Sequence, residues 1–469
     1  MPPEQPAGPL ATSIDGRHFV YDVSIDRLDA RVGGYVVVEH GRDGSRLGYV
    51  TSIAAADHDR RTARVDGRLL EGHGEPFGEA PTRMAEPDEV AGWLRNARPG
   101  RALEVGTLVF AEGVPLTIAA GAFDRHTFLC GQSGSGKTYA LGTILERLLA
   151  ETSLRIVVLD PNSDFVRLAE LRDEVADEAR SRYSEAAAGI DVRRAGDAGD
   201  GRLHVRFRDF DAGEQAAVLR LDPIADREEY AALSDALERQ EAQLGVSVRE
   251  AVAALWAGPE PLHSLGLRAR NLGVDRWQIW SGSDPGSLEE LVQPGGPRCV
   301  VADLGSLATR EEQAVAAEAL LAALWRRRAV REPMLIVIDE AHNVCPALPQ
   351  DPLTALATEH AVRIAGEGRK FGLVLLAATQ RPQKVHENVV SQCDNLVLMR
   401  MNSRSDLAML SEIFSFVPPT ILALATEFGQ GEAVVAGKLV PSPTLGRFGP
   451  RWSAEGGADV PADWAEGSS

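Results

Sequence analysis

The eight residues Gly131 to Thr138, GQSGSGKT, constrain this chain more than any other stretch. They fit G-x-x-x-x-G-K-[ST] and stand between an apolar run, Thr127 to Cys130, and a segment with Leu141, Ile144, Leu145 and Leu148 at helical spacing. A strand, a glycine turn and a helix in that order gather backbone N–H groups and the positive end of a helix dipole at one point, an arrangement that cradles phosphates. Gly131, Ser133, Gly134, Ser135 and Gly136 would form the cradle. Lys137 would reach the β- and γ-phosphates, and Thr138 would ligate magnesium. ATP and Mg2+ are the expected cofactors.

A second apolar run, Met334 to Ile338, ends in adjacent carboxylates, Asp339 and Glu340. At the tip of a buried strand, Asp339 would bind the magnesium and Glu340 would polarise an attacking water. Such a water base separates ATP-hydrolysing motors from nucleotide kinases, whose attacking group is a substrate oxygen. The run Gly372 to Ala378 ends in Thr379, Gln380 and Arg381. Gln380 is a candidate for contacting the γ-phosphate or the water, with a loop cap as the plainer alternative. Asp160 opens DPNSDF at the end of the run Arg155 to Asp160. It is either a nucleotide contact on the ligand-binding edge or part of a turn that Asp-Pro-Asn makes readily.

Arg125, just before the phosphate-loop strand, and Arg369, in GEGRKFG, are candidates for arginines inserted into a neighbouring subunit's site. Only four of the 49 basic residues are lysines, so an arginine near a motif carries less weight here. Arg326, Arg327, Arg328 and Arg331 read either as a DNA-facing patch or, preferably, as cations in the last turn of a helix.

Strand-like and helical runs alternate over residues 118–450, which predicts an α/β fold with a parallel sheet covered on both faces. Residues 166–295 lack the alternation and read as an inserted helical subdomain. Residues 17–117 carry short strand-like runs, among them Tyr35 to Glu39, an Asp43-Gly44 hairpin signal, Leu47 to Ile53 and Leu103 to Phe110. They predict a small β-barrel with a charged, Pro/Gly-rich excursion over 57–100. Residues 1–16 read as a disordered lead-in and 451–469 as a tail. Four cysteines, at 130, 299, 345 and 393, are too few and too widely spaced for a disulfide framework or paired zinc ligands. A net charge of −19 argues against a basic coat for general nucleic-acid binding, but not against a basic channel. The apolar runs are far shorter than the roughly 20 residues that span a bilayer. With no charged start followed by an apolar core, the N-terminus does not read as a secretion signal, and a cytoplasmic protein without a membrane partner is expected.

In order and spelling, GQSGSGKT, DPNSDF, DEAHN and RIAGEGRKFGLVLLAATQRPQKV resemble the HerA/FtsK group of hexameric pumping ATPases, and HerA more than FtsK. The resemblance spans roughly residues 18–450. It implies a RecA-like P-loop ATPase core, an N-terminal β-barrel like that shared by HerA and ATP synthase subunits, and a helical insertion. It also implies a homohexamer that threads double-stranded DNA, with a partner nuclease or other effector protein, in DNA end processing or antiviral defence. Carried over by residue, it implies ATP contacts from Gly136, Lys137 and Thr138, catalysis by Asp339 and Glu340, sensing by Gln380, and finger or sensor roles for Arg125 and Arg369. Two spellings depart from the group: DPNSDF stands where an Asp-Pro-His-Gly-Glu-Tyr type signature is usual, and AATQRP lacks the commoner Ser before Gln. A secretion or conjugation ATPase, or a nucleotide switch that scaffolds a defence or repair complex, are the alternatives. The letters DEAH also name a class of two-lobed helicases, but only 130 residues follow Asp339, too few for a second lobe.

Overall fold

The computed structural model describes residues 8–40, 44–56, 61–71, 74–97, 100–240, 247–281 and 284–457. Two compact units make up the chain: one takes in residues 1–148, 380–382 and 393–451, the other 149–379, 383–392 and 452–469. Strands are numbered along the chain.

In the first unit β1 (Leu10–Ser13), β2 (His18–Ser24), β3 (Tyr35–His40), β4 (Gly44–Ala55), β5 (Thr62–Leu69) and β6 (Phe77–Met84) close into a barrel in the order β1-β2-β5-β4-β3-β6. Period-two alternation builds it. Along β5, Ala63, Val65, Gly67 and Leu69 are buried while the residues between them are not. With Phe19, Tyr21, Val36, Val38, Val50 and Phe77, Val65 and Leu69 of that strand fill the interior. At Gly67 a Cβ would stand 2.1 Å from the Phe19 ring, so the packing requires glycine there.

The barrel bounds differ from the expected 17–117. Leu10–Ser13, read as lead-in, is β1, and its four residues are too few to show a legible alternation. Of the stretch 57–100, residues 57–60, 72–73 and 98–99 lie outside the described residues, and the rest contributes β5, β6 and the helix Pro87–Asn96 where a loose excursion is expected. Residues 41–43, with Asp43 of the expected hairpin signal, lie outside the described residues, and β3 and β4 on either side pair His40 with Gly44. The last strands expected of the barrel, β7 (Ala102–Leu108) and β8 (Pro115–Ala119), pair elsewhere. They extend a sheet of β9 (Thr127–Cys130), β17 (Asn395–Met399), β18 (Glu432–Gly437) and β19 (Thr444–Phe448), in the order β9-β17-β18-β19-β7-β8. β9 and β17 pair parallel and the others antiparallel.

The second unit carries β10 (Arg155–Asp160), β11 (Ile190–Arg194), β14 (Cys299–Asp303), β15 (Met334–Ile338) and β16 (Leu373–Thr379), all parallel, in the order β11-β14-β10-β15-β16. Every residue of β10, β14, β15 and β16 is buried, as a sheet covered on both faces demands. Asp160 lies opposite Asp303, and Leu159 opposite Ile338, so three acidic strand ends finish level. The helices Arg310–Arg326 and Pro352–Glu367 pack together. Their first turns are capped by Thr309 and Asp351 side chains, which accept the Glu312 and Thr354 N–H groups.

Within 166–295 the expected helices form, but the segment also supplies β11 to the main sheet and the short parallel pair β12 (Val205–Arg206) and β13 (Trp280–Ser281). The spelling of β11, IDVRR, hides an edge strand: Arg193 pairs with Asp191, and Arg194 with Asp303. In the basic run, Arg326 pairs with Glu214 and Glu289, Arg327 with Glu332, and Arg328 lies over the Trp325 ring. These are packing roles. The expected tail begins too early, because Trp452 packs against Tyr183 with rings 6.0 Å apart and the Ser453 carbonyl accepts from Arg172 at 3.0 Å. All four cysteines are buried and free. No helix among the described residues is long and apolar enough to cross a membrane.

Candidate functional site

In the first unit, β9 ends at Cys130 and the helix Lys137–Glu151 follows a loop that turns on glycine. Gly134 (φ 73°) and Gly136 (φ 93°) occupy backbone regions that side chains disfavour. At Gly131 a Cβ would lie 2.7 Å from both Met399 Cβ and Ser135 Oγ. Neighbouring backbone fastens the loop. Gln132 N–H donates to the Arg400 carbonyl at 2.9 Å, Gly431 N–H to the Ser135 carbonyl at 2.8 Å, and the Arg400 guanidinium to the Gly134 carbonyl at 3.0 Å. Lys137 and Ser135 are buried, Thr138 is half-buried and Ser133 is exposed. Leu141, Ile144, Leu145 and Leu148 are all fully buried, anchoring the helix by the stripe its sequence shows.

The same helix carries a buried ionic cluster. Glu146 lies 3.1 Å from Arg147 and 3.4 Å from Arg451, and all three side chains are almost wholly buried. Arg147 also donates to the carbonyls of Glu104 and Pro450, at 2.9 and 2.7 Å. Burial holds its pKa down to about 10.

In the second unit, Asp160, Asp303 and Asp339 end or follow adjacent strands and none is exposed. Asp160, Asp164 and Asp339 offer carboxylate oxygens that all lie within 4.8 Å of one another. Asp160 accepts the backbone N–H groups of Asp164 at 2.9 Å and Phe165 at 2.8 Å. Burial pushes its pKa up to about 7, aided by the Asp339 and Asp164 charges and opposed by those two bonds. Crowded hard oxygen donors are the chemistry that holds a magnesium ion, so this cluster fits the cation the sequence implies. Beside them Glu340 turns left-handed (φ 44°, ψ 51°) and is 4% exposed. Its Oε2 stands 3.2 Å from His342 Nδ1, which is also 3.0 Å from Thr379 Oγ1. A cavity of about 460 Å3, lined by Pro161, Arg310, His342 and Asn343 among others, opens alongside.

The remaining candidates are placed elsewhere. Gln380 is half-buried and directly follows β16. Arg369 is exposed, in the turn before β16, and so stands about 20 Å along the strand from Thr379. Arg125 precedes β9 and is tied to Asp124 at 3.3 Å and Asp394 at 3.7 Å. Thus the second unit gathers Asp160, Asp339 and Glu340 at one edge of its sheet and sets Arg369 at the other.

The model of a family described as "Helicase HerA, central domain" matches residues 103–260. The DNA double-strand break repair helicase HerA of Pyrococcus furiosus is 23% identical over 463 residues, covering 85% of this chain and 79% of that one. The chain is similar to HerA/FtsK-type ATPases. A stretch of 120 residues is 36% identical to HerA of Sulfurisphaera tokodaii, covering 26% of this chain and 23% of the relative. VirB4 of Thermoanaerobacter pseudethanolicus shares the fold, with a TM-score of 0.52 at 17% identity over 75% of this chain and 97% of that one. The chain is an ATP hydrolase.

Three residues of this ATPase escaped the sequence reading. Asp164 joins the acidic cluster, and its signal was available: DPNSDF set against Asp-Pro-His-Gly-Glu-Tyr puts it at the Glu position. Ser163 takes the Gly position and keeps a left-handed backbone (φ 61°), with its hydroxyl donating to Asp303 at 2.6 Å. His342 was in view as a letter of DEAHN, but only the turn at Glu340 brings it to the carboxylate.

Proposed function

We propose that this chain forms a ring that uses ATP to move along double-stranded DNA, with a partner nuclease or another effector protein, in DNA end processing or antiviral defence. The observation that supports it most is the alignment with a DNA double-strand break repair helicase over 85% of this chain. Gly131, Ser133, Gly134, Ser135, Gly136 and Lys137 hold the phosphates, and Asp160 contacts the bound nucleotide complex. Thr138 and Asp339 ligate Mg2+, which neutralises phosphate charge when bound. Glu340 polarises the water, and Gln380 reads the γ-phosphate. Arg125 and Arg369, each just ahead of a strand, serve as fingers or sensors, and Arg125 acts on the neighbouring subunit's nucleotide, so hydrolysis depends on assembly.

ATP hydrolysis with and without linear duplex DNA tests the reading. Several-fold stimulation is expected, lost steeply between about 50 and 200 mM salt as ions compete for the phosphate contacts. Indifference to duplex DNA at low salt overturns translocation. In the same assay, Arg125→Ala and Glu340→Gln are each nearly inactive alone. Co-assembled, they regain activity at about a quarter of interfaces if Arg125 works in trans. No recovery in confirmed mixed rings returns Arg125 to its pairing with Asp394.

A further inference from the structure

We propose that His342 is a positioning residue that fixes the Glu340 carboxylate for attack by water, an inference that rests on reading Glu340 as the water-polarising group. Glu340 adopts the left-handed conformation just after β15. Side chains enter that region only where their surroundings hold them. The backbone is held on its C-terminal side, where Asn343 N–H donates to the Glu340 carbonyl at 2.8 Å. The side chain is held by His342, whose Nδ1 lies 3.2 Å from Oε2.

The same nitrogen is 3.0 Å from Thr379 Oγ1, and this second contact makes the arrangement selective. In a neutral imidazole one nitrogen donates and the other accepts. An ionised carboxylate only accepts, whereas the Thr379 hydroxyl can do either. The arrangement that satisfies both oxygens therefore carries the proton on Nδ1. A bare Nδ1 would accept from Thr379 and turn its lone pair towards the carboxylate. Glu340 thus selects the tautomer, and the Nδ1–H fixes the carboxylate in return. Thr379 is fully buried at the end of β16, so the ring is referenced to the sheet. A base acting on water needs that fixity, because a misplacement of about 1 Å can lower the rate about a hundredfold. His342 also lines the 460 Å3 cavity and is 17% exposed, so truncation admits water instead of emptying a core.

The test compares His342→Ala, His342→Asn and His342→Gln with the wild type and with Glu340→Gln, measuring kcat, KM and equilibrium ATP binding. An Asn amide nitrogen falls where Nδ1 stood, and a Gln nitrogen where Nε2 stood. His342→Ala is expected to lower kcat about 10- to 100-fold while ATP affinity stays within about twofold. His342→Asn should restore kcat to within about fivefold of wild type, and His342→Gln should stay low. The proposal is overturned if His342→Ala keeps kcat within about twofold, if affinity falls as far as kcat, or if Gln rescues as well as Asn. Should His342→Ala not fold, the Asn and Gln pair carries the same test. Full turnover in Glu340→Gln removes the reading of Glu340 and the proposal with it. An inactive Glu340→Gln beside a near-normal His342→Ala removes the positioning role alone.

Discussion

The chain buries charge in two places by opposite rules. Around Glu146 in the first unit, one carboxylate lies between the guanidiniums of Arg147 and Arg451, and carbonyls of Glu104 and Pro450 accept from Arg147. At the strand ends of the second unit, three carboxylates, Asp160, Asp164 and Asp339, crowd one point. Opposite charges with their hydrogen bonds satisfied form a finished structure. Like charges oppose one another, and burial together with the Asp339 and Asp164 charges pushes the Asp160 pKa up to about 7. The contrast separates a cluster that ties the fold together from one whose crowded oxygens suit a cation.

The sharpest way to break the comparison is to remove charge from each cluster and compare signs. Glu146→Gln leaves two buried guanidiniums without their anion, and breaking such a pair costs about 3–5 kcal/mol. A urea titration followed by a probe in the first unit should show a loss of that order. A loss under 1 kcal/mol would mean the cluster is no more than a solvated contact.

Asp160→Asn should act the other way, and only in a defined pH window. The folded pKa, about 7, stands above the ordinary value near 3.9, so the folded state holds the proton more tightly than the unfolded chain. That contribution is complete below about pH 4 and is lost as pH rises through about 7. In metal-free, nucleotide-free protein, the stability of wild type relative to Asp160→Asn should therefore fall by up to about 4 kcal/mol between pH 4 and pH 8, since about three pKa units separate the two states. Added Mg2+ should flatten the difference, since the cation compensates the ionised group. A pH-independent difference without metal would show that Asp160 is not the group carrying the strain.

The two clusters also differ in how far they can be read from the chain. GQSGSGKT was legible because its chemistry lies in eight consecutive residues, and Asp339 because an apolar strand delivers it. The acidic cluster as a whole depends on register, which sets Asp160 beside Asp303 and next to the β15 strand that leads to Asp339, and no local pattern states register. Arg451 is less legible still. It sits in a stretch that reads as tail, yet meets Glu146 some 300 residues earlier in a pairing set by tertiary packing alone. The fold divides similarly. Strands buried on both faces, such as β15 and β16, announced themselves as apolar runs, whereas β1 was too short and β11 too charged to do so.

The smallest effect tests the border of the acidic site, where this chain writes Ser163 in a position that the resemblance fills with glycine. The backbone there is left-handed, at φ 61°, which costs a non-glycine residue about 1–2 kcal/mol. The hydroxyl offsets this by donating to the fully buried Asp303 at 2.6 Å, a bond to a charged group worth about 1.5–3 kcal/mol. Asp303 keeps Arg194 at 3.0 Å when the hydroxyl is removed, so it is not left without a partner. Ser163→Gly therefore loses the bond and relieves the strain together, and its stability should stay within about 1 kcal/mol of wild type. Ser163→Ala loses the bond and keeps the strain, and should be about 1–2 kcal/mol less stable than Ser163→Gly despite glycine's greater unfolded-state freedom. Urea midpoints of the three proteins, read from the second unit, decide it. If alanine equals or exceeds glycine, the strain at residue 163 is negligible, and the serine stands there for a reason other than offsetting it.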